Sequence, residues 1–372
     1  MPGRIVLFGA TGYTGRLTAE ALVARGAAPL LAGRSADRLA ALSDELSGLE
    51  TAVADVDRPA SVRAIVGHGD VLVATVGPFV RFGAPAVEAA IANRAAYLDS
   101  TGEPAFIRRV FEDYGPQAAG AGVGLVTAFG YDWVPGNLAG GLALREAGEA
   151  AVRVDLGYFF TGGGGMSGGT RATTALGALE PAFVWRRGIK TERTAARMRS
   201  FEVKGRDRPA VSVGSSEHFA LPRIHPQLAE VNAYLGWFGG ASRALQAFSL
   251  LSSGVARVPG ARAGMQALAA RFVKGSTGGP DADARSRSGS YVVAEAYGAD
   301  GELLSEARLA GINGYDFTAR LLAWGAERAL HGGLSREGAL GPVEAFGLDE
   351  LEAGCAEAGI ERAGAVRERA PA

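Results

Sequence analysis

IVLFGATGYTGRLTAEALVARG, residues 5 to 26, is the segment from which the architecture can be inferred. Its first four residues are wholly apolar, as expected of a strand buried on both faces of a parallel sheet. A glycine-rich turn follows, and then the segment Tyr13–Arg25 carries Leu17 and Ala21 on one side before it stops at Gly26. A buried strand, a tight turn and an amphipathic helix predict the first unit of an α/β sheet.

Strand and helix signals continue to alternate through the first third of the chain, with short connections between them. Further strands are predicted at residues 29–32, 51–54, 71–76, 97–98 and 124–127. Six strand–helix units of this kind specify an α/β fold with a Rossmann-type, doubly wound parallel sheet.

After Thr127 the pattern becomes typical of antiparallel strands. Residues 153–160 and 210–213 are predicted strands, and the Asp-Gly pair at 300–301 is a strong hairpin signal. From Asn313 onward the pattern is helical again. The predicted division is a nucleotide-binding Rossmann domain at 1–135, an inserted, largely antiparallel α+β domain for substrate binding or oligomerisation at 136–312, and a helical segment at 313–372 that returns to the first domain.

The composition narrows the class of protein. With 372 residues, 48% of them hydrophobic, the chain is long enough for about two domains with full cores. The formal net charge is −1 and no basic stripe occurs, so no nucleic-acid partner is predicted. A single cysteine, Cys355, rules out an intrachain disulfide. Because neither a signal peptide nor a long apolar run is recognised, a cytoplasmic location is expected.

The loop after the first strand is predicted to bind a dinucleotide diphosphate. Gly9 permits a tight turn, Gly12 lets backbone amides approach the phosphates, and Gly15 lets the helix pack close to the sheet. The N-terminus of the helix adds unpaired N–H groups and the positive end of its dipole. A glycine-rich turn without a ligand is the alternative. The predicted loop residues are Gly9, Ala10, Thr11, Gly12, Tyr13, Thr14 and Gly15.

The residues after the second strand distinguish between the two nicotinamide cofactors. An NAD-binding domain usually carries an acidic residue there, which accepts from the ribose 2′-hydroxyl. This chain instead has Arg34 and Ser35, with Arg38 one helical turn further on. A guanidinium pairs with a 2′-phosphate in a forked geometry, so NADP(H) is the predicted cofactor. The alternative is that Arg34 is a solvated charge at the start of a helix.

Two further loops at the carboxyl edge of the sheet are predicted to complete the cofactor site. Asp55 follows the third strand and can accept a hydrogen bond from an adenine amino group. The loop after the fourth strand is expected to pass the nicotinamide ribose. That loop consists of Val76, Gly77, Pro78 and Phe79.

Eight short motifs stand out along the chain. Four in the first domain are GATGYTGRL (9–17), LAGRSADRL (31–39), ATVGPF (74–79) and YLDSTGE (97–103). Together they resemble the NADP-binding domain of the saccharopine dehydrogenase superfamily. Four more are AFGYDWVPGNL (128–138), HFALPRIHP (218–226), KGSTGGP (274–280) and GALGPVEAFG (338–347). These resemble the trans-acting enoyl reductase branch, so the resemblance extends over nearly the whole chain.

This resemblance implies an activity. Resemblance to the trans-acting enoyl reductases implies NADPH-dependent reduction of an activated C=C bond in a polyketide, lipid or related secondary-metabolite intermediate. The implied substrate is a small molecule that is free or carrier-bound. Saccharopine reductases proper join an aldehyde to an amino acid, and in them the segment equivalent to residues 130–136 reads differently. Here Tyr131 and Trp133 stand in that segment with no arginine clamp nearby. This departure favours a substrate other than an amino acid.

The segment that leaves the sixth strand carries the candidate catalytic residues. In enoyl reduction the developing enolate oxygen needs a hydrogen-bond donor and the α-carbon needs a proton. Tyr131 can donate a hydrogen bond or proton, with packing as its alternative role. Asp132 can orient a neighbouring group, with capping of the following helix as its alternative. Other polar residues expected at this edge are Tyr97, Asp99, Ser100 and Glu103, the last of these favoured for a role at a helix dipole.

Other chemistries and partners have weaker signals. His218 and His225 pair with no other ligand at metal spacing, and no GxSxG elbow occurs, so neither a metal site nor a serine hydrolase is predicted. The apolar segment 231–251 can pack in the core, line a substrate tunnel, make peripheral contact with a membrane or form the seam of a homodimer.

Three functions remain open from the sequence. The first is an NADPH-dependent enoyl reductase. The second is a saccharopine dehydrogenase-like reductase of C=N or C=O bonds. The third is a non-catalytic NADP(H)-binding sensor or scaffold, which the missing Tyr-xxx-Lys dyad of short-chain dehydrogenases keeps open.

Overall fold

The computed structural model describes residues 3–162, 181–237, 239, 242–243, 246–247 and 278–364. Within these residues the strands, in chain order, are β1 (Ile5–Phe8), β2 (Leu30–Gly33), β3 (Thr51–Val53), β4 (Val71–Ala74), β5 (Ala96–Asp99), β6 (Gly124–Val126), β7 (Arg153–Gly162), β8 (Pro181–Arg186), β9 (Ile189–Arg193), β10 (Met198–Val203), β11 (Arg206–Val213), β12 (Glu230–Leu235), β13 (Ser288–Tyr297), β14 (Leu303–Ile312), β15 (Gly338–Ala339) and β16 (Ile360–Arg362).

The α-helices of the same residues are α1 (Tyr13–Ala24), α2 (Ala36–Glu45), α3 (Pro59–Ala64), α4 (Phe79–Phe82), α5 (Ala84–Asn93), α6 (Pro104–Arg109), α7 (Gly115–Ala121), α8 (Val134–Ala147), α9 (Glu217–Ile224), α10 (Ala282–Ser286), α11 (Gly314–Gly332), α12 (Pro342–Phe346) and α13 (Leu348–Ala358). A π-helical turn, Val110–Tyr114, joins α6 to α7, and a 3-10 turn, Gly148–Ala150, follows α8.

The first sheet is parallel throughout its described strands. Its order is β15-β6-β5-β4-β1-β2-β3. Every residue of β1, β2 and β4 is buried, as expected of central strands in a sheet that helices cover. The chain runs outward from β1 to β3 and then restarts at β4 on the other side of β1. Ligands of such sheets bind outside the carboxyl ends of the strands at this reversal.

The second sheet is mostly antiparallel. Its order is β10-β11-β12-β7-β13-β14-β16, with β8 paired to β12 and to β9. The β7–β12 pair is parallel and the other pairs are antiparallel. The predicted hairpin at 300–301 joins β13 to β14, and Gly301 adopts the positive φ of +86° that its tight turn requires.

Helices α8 and α11 connect the two sheets. Helix α8 leaves the first sheet and packs on β7, β13 and β14 of the second, with Val134–Leu144 buried. Helix α11 packs on α1, β4 and β5 of the first domain. Beyond α11, β15 pairs with β6 in the first sheet and β16 pairs with β14 in the second. The C-terminal part of the described chain therefore adds a strand to each sheet.

These two sheets confirm the predicted α/β class, a doubly wound parallel sheet combined with a largely antiparallel second domain. The sequence did not predict β8, β9, β10, β12, β15 or β16. Strand β15 has only two residues and therefore no periodic pattern. Residues 274–277 of the KGSTGGP motif, and most of the apolar segment beyond Trp237, lie outside the described residues.

Candidate active site

The glycine loop after β1 folds back tightly on itself. Gly9 has φ +94°, and its carbonyl oxygen accepts from Gly12 N at 2.9 Å. A Cβ at Gly15 would lie 2.1 Å from that same oxygen, so only glycine lets α1 start this close to the strand. Thr75 Oγ1, at the end of β4, lies 3.2 Å from the carbonyl oxygens of both Phe8 and Gly9 and stabilises the turn.

The N-terminus of α1 is open to an anion. Gly12 is its N-cap and offers no side-chain cap, and no acidic residue lies in the first turn. The positive end of the dipole and the first amides are therefore not neutralised by the described residues. A diphosphate fits this arrangement, because backbone N–H groups and a helix dipole are what phosphate oxygens bind.

Two arginines flank the same loop from the end of β2. Arg34 is exposed there, and Arg38 Nη2 donates to Thr11 O at 2.6 Å. Ser35 caps α2, with its hydroxyl accepting from Arg38 N at 3.4 Å. The cap fixes the start of α2 and with it the backbone from which both arginine side chains extend. No carboxylate replaces them at the end of this strand, so a 2′-phosphate fits and the residues present suit NADP(H).

The second domain contacts the glycine loop through Tyr13. The Tyr13 hydroxyl donates to Pro280 O at 2.5 Å, and a Cβ at Gly279 would meet the Tyr13 ring at 2.4 Å. Arg285 Nη1 donates to the same hydroxyl at 3.1 Å, while Arg285 Nε pairs with Asp316 at 2.8 Å. The glycine-rich motif alone predicts Tyr13 as a residue of the cofactor loop. The structure shows that this side chain joins the cofactor loop to α10 and α11.

The loop after β4 is held by a carboxylate from the turn that follows the next strand, β5. Glu103 accepts from Phe79 N at 2.7 Å and from Val80 N at 2.9 Å, which caps α4. Glu103 was expected to interact with the dipole of a helix. The structure shows such an interaction, but with α4 and not with α6, the helix that Glu103 precedes. The loop from Val76 to Phe79 lies at the carboxyl edge because it follows β4, and its contact with the nicotinamide ribose stays a prediction.

Asp55 and Asp99 have different environments. Asp55 is partly exposed, and its Oδ1 accepts from Asp57 N at 3.1 Å in a local turn. Asp99 is fully buried and accepts from Thr127 Oγ1 at 2.8 Å and Ala128 N at 2.9 Å. Burial raises the pKa of Asp99 to about 6, although these hydrogen bonds lower it. Asp99 therefore ties the end of β5 to the end of β6.

Of the two predicted catalytic residues, Tyr131 is the more enclosed. It is 4% exposed, and its hydroxyl donates to Phe159 O at 3.2 Å. Its ring stacks on Phe160 with centroids 5.6 Å apart. Burial raises the pKa of Tyr131 above its ordinary value. This environment suits a packing and positioning role, the alternative that the sequence left open.

Asp132 lies where the turn after β6 meets the turn after β5. A Cβ at Gly102 would stand 2.7 Å from Asp132 Oδ2, while the buried Oδ1 has no hydrogen-bond partner among the described residues. Burial raises the pKa of Asp132 to about 7. Helix α8 has Trp133 as its N-cap with no side-chain cap, so Asp132 does not cap that helix. A carboxyl group that titrates near neutral pH can hold and release a proton here.

Sequence reasoning missed two buried side chains that feel the charge of Asp132. Tyr158 on β7 and Glu217 at the start of α9 are both 0% exposed. The Tyr158 hydroxyl lies 2.5 Å from Glu217 Oε1, and it accepts from Gly136 N at 2.7 Å. Burial raises the pKa of Glu217 to about 7. The two residues are 59 positions apart, so no local sequence pattern predicts their contact. The only signal in the sequence is Glu217 itself, a charged residue beside the apolar residues of α9.

The described residues hold no group of three or more potential metal ligands, so nothing in them supports a metal centre. The helices in that part of the chain include none with the length and apolar character needed to cross a bilayer. His218 is fully buried beside Phe183, and burial lowers its pKa to about 3. A neutral, enclosed imidazole is consistent with a structural role for this residue.

Comparisons with known proteins find similarity to a nucleotide-binding family model and to bacterial relatives. Residues 5–126 match the family model of the saccharopine dehydrogenase NADP binding domain. A presumed trans-acting enoyl reductase of Mycobacterium tuberculosis is 40% identical over 180 residues, which cover 45% of this chain and 42% of that protein. A trans-acting enoyl reductase of Mycobacterium leprae is 41% identical over 140 residues, 36% of this chain and 34% of that protein. The matches thus span less than half the length of these relatives.

A solved structure shows the same fold. Apo saccharopine dehydrogenase (L-Glu forming) from Saccharomyces cerevisiae superposes with a TM-score of 0.56 over 94% of this chain and 96% of that one, at 15% identity. The fold and site define an NADP(H)-binding domain of the saccharopine dehydrogenase type, the domain of NADP-dependent oxidoreductases. This confirms the predicted cofactor. In sequence, the matched relatives are named as trans-acting enoyl reductases, which confirms the predicted resemblance to that branch over 45% and 36% of the chain, respectively.

Proposed function

We propose that this chain is an NADPH-dependent enoyl reductase. Its substrate is an activated C=C bond, conjugated to a carbonyl or thioester, in a small polyketide, lipid or related intermediate that is free or carrier-bound. The observation that carries this proposal is Asp132, a half-buried residue with an enclosed, unpartnered Oδ1 and a pKa raised to about 7, on the sheet edge that also bears the cofactor loop. The names of the relatives in sequence support it.

The chain's own residues would divide the work in a simple way. The amides at the start of α1 bind the diphosphate, and Arg34 with Arg38 bind the 2′-phosphate. The loop held by Glu103 orients the nicotinamide end. When bound, NADPH supplies the hydride that reduces the β-carbon.

Asp132 supplies the second half of the reduction. Protonated Asp132 gives its proton to the α-carbon and is left as a carboxylate, so one hydride and one proton saturate the double bond. Tyr131 positions this turn, because its hydroxyl donates to Phe159 O and its ring packs on Phe160. Of the two predicted catalytic residues we therefore assign proton donation to Asp132 and positioning to Tyr131.

A turnover assay with labelled cofactor tests this function. Purified protein is mixed with deuterated NADPH and a panel of enones and enoyl thioesters, and the product is examined by mass spectrometry and NMR. We expect NADPH oxidation with deuterium on the β-carbon. Label on a carbon that bears nitrogen or oxygen would instead establish a C=N or C=O reductase. Tight NADPH binding with no turnover on the panel would contradict both and favour a sensor or scaffold.

A further inference from the structure

A short segment of the second domain, residues 278–287, lies against the cofactor loop of the first. This segment, the strap, contains the last three residues of the KGSTGGP motif and the helix α10. Asp281 caps that helix, its Oδ1 accepting from Ala284 N at 2.8 Å. Ser288 Oγ donates to Arg285 O at 3.0 Å where β13 begins. Because β13 pairs with β7 along its whole length, the second sheet sets the position of Arg285.

On the other side of this contact, the first sheet sets the position of Tyr13. Tyr13 is the first residue of α1 and directly follows the N-cap Gly12, so its backbone belongs to the turn expected to bind the diphosphate. The close packing at Gly15, where a Cβ would lie 2.1 Å from Gly9 O, ties the start of α1 to the end of β1. A shift of the Tyr13 side chain is therefore transmitted to the amides that are expected to bind the phosphates.

The hydrogen bonds between the strap and Tyr13 are mutually compatible. The Tyr13 hydroxyl donates to Pro280 O at 2.5 Å and accepts from Arg285 Nη1 at 3.1 Å. Nη1 carries two hydrogens and also donates to Pro280 O at 3.0 Å, while Arg285 Nε donates to Asp316 Oδ1 at 2.8 Å. A phenol has one hydrogen to give and a carbonyl oxygen can accept twice, so all four bonds form together.

The ring of Tyr13 is enclosed separately from its hydroxyl. A Cβ at Gly279 would meet the ring at 2.4 Å, so the backbone of the strap lies directly against it. Tyr315, in the first turn of α11, packs on the ring edge-on with centroids 5.2 Å apart. Asp316 follows in the same turn, and its Oδ2 accepts from Asn313 Nδ2 at 2.5 Å. Removal of the hydroxyl alone therefore leaves the packing of the ring in place.

The charge of Arg285 is balanced within this cluster. Its side chain is 15% exposed, and the guanidinium pairs with the Asp316 carboxylate. The pair has little net charge with which to attract a diphosphate. Arg285 consequently affects the cofactor loop through the position of Tyr13, and not through attraction of the phosphates.

We propose that Tyr13, Arg285 and Asp316 form a clasp by which the second domain positions the dinucleotide-binding loop, so that affinity for the cofactor depends on this contact between domains. Arg285 and Asp316 are positioning residues that act through Tyr13. The clasp goes beyond the proposed function, because it concerns the cofactor and not the bond that is reduced. The diphosphate is common to NADPH and NADH, so the clasp supports both equally, unlike Arg34 and Arg38, which are assigned to the 2′-phosphate.

Calorimetric titration of NADPH and of NADH into four proteins tests the clasp. The proteins are the wild type, Tyr13→Phe, Arg285→Ala and the double variant. Tyr13→Phe keeps the ring against Gly279 and Tyr315, so it should fold. We expect each single substitution to weaken both cofactors by the same factor, about fivefold to tenfold, and the double variant to bind as weakly as the weaker single variant. Wild-type affinities, a loss confined to NADPH, or losses that multiply in the double variant would overturn the proposal.

Arg25→Ala is a matched control for the contact between α1 and α11. Arg25 lies at the opposite end of α1, where it pairs with Glu327 of α11 and with Glu357, much as Arg285 pairs with Asp316. Its replacement removes an ion pair of the same kind and should leave the dissociation constants of both cofactors unchanged. A loss of affinity equal to that of Arg285→Ala would overturn the proposal, because the helix contact as a whole would then support the loop.

Hydrogen exchange gives a readout that is independent of affinity. Within the strap, the amides of Arg285 and Arg287 bond to Asp281 O and Asp283 O at 3.0 and 3.3 Å. Saturating NADPH should slow exchange at these amides in the wild type, because by linkage a cofactor that fixes Tyr13 also fixes the clasp. In Tyr13→Phe, at saturating NADPH, this protection should be lost. No protection in the wild type, or equal protection in both proteins, would overturn the proposal.

Discussion

Replacing Glu217 by glutamine should change how the stability of the protein depends on pH. Glu217 is 0% exposed, and burial raises its pKa from 4.5 to about 7. Below pH 4.5 the side chain is protonated in both the folded and the unfolded protein and has no linkage effect. As the pH rises from 4.5 to 7 the unfolded chain releases this proton and the folded protein keeps it, so the free energy of unfolding falls.

The size of this effect follows from the shift. A rise of the pKa from 4.5 to about 7 corresponds to a loss of about 3 kcal/mol in the free energy of unfolding, which is reached near pH 7 and stays constant above it. Glutamine does not ionise, so the free energy of unfolding of Glu217→Gln should gain on that of the wild type by about this amount between pH 4.5 and 8. Urea unfolding of both proteins, followed by tryptophan fluorescence at intervals of half a pH unit, measures the difference.

The difference in the free energy of unfolding between the variant and the wild type cancels the contributions of the titrating groups that the two proteins share. Glu344→Gln serves as the control, because the Glu344 carboxylate accepts from Gly341 N and lies 3.7 Å from the Arg223 guanidinium. The reasoning would be refuted by a wild-type-to-Glu217→Gln difference that is the same at pH 5 and pH 8. Glu217 would then have the same pKa in the folded and the unfolded protein, and its burial would not favour the protonated form.

Three further substitutions test other contacts. Gly15→Val puts a Cβ 2.1 Å from Gly9 O, so it should abolish NADPH binding in calorimetry and lower the melting temperature. Gly136→Ala puts a Cβ 2.1 Å from the Tyr158 hydroxyl and should lower the free energy of unfolding in urea by about 1–3 kcal/mol. An unchanged free energy would mean that the packing between α8 and β7 is loose at this position. Arg285→Ala removes the donor to the Tyr13 hydroxyl and should weaken NADPH binding about fivefold to tenfold, whereas unchanged affinity would show that this contact does not hold the cofactor loop.

The parts of the fold and site that depend on local patterns were predictable from the sequence. The apolar run of β1, the spacing of the glycines and the basic residues after β2 lie within about 30 residues of one another and each has its own physical signature. The alternation of strands and helices likewise fixed the class of the first sheet. Strands such as β15, with two residues, carry no such signature and form only because β6 offers its edge.

The long-range contacts around the site were not predictable, because they join residues far apart in the chain. Glu217 meets Tyr158 across 59 positions, and Glu103 reaches Phe79 N across 24. Tyr131 shows the limit of reasoning from residue type. A tyrosine at the carboxyl edge is a reasonable proton donor, but its hydroxyl donates to a backbone carbonyl, and only the structure identifies that partner.

Binding of the two reduced cofactors to the wild-type protein and to an Arg34→Ala/Arg38→Ala variant is the most direct measurement. Isothermal calorimetry should show NADPH binding to the wild type at least tenfold more tightly than NADH, since a 2′-phosphate gains charge-assisted hydrogen bonds of about 1.5–3 kcal/mol. In the variant that preference should disappear, because NADPH should lose much more affinity than NADH. Equal affinity of the wild type for both cofactors, or no heat with NADPH at millimolar concentration, would contradict the account.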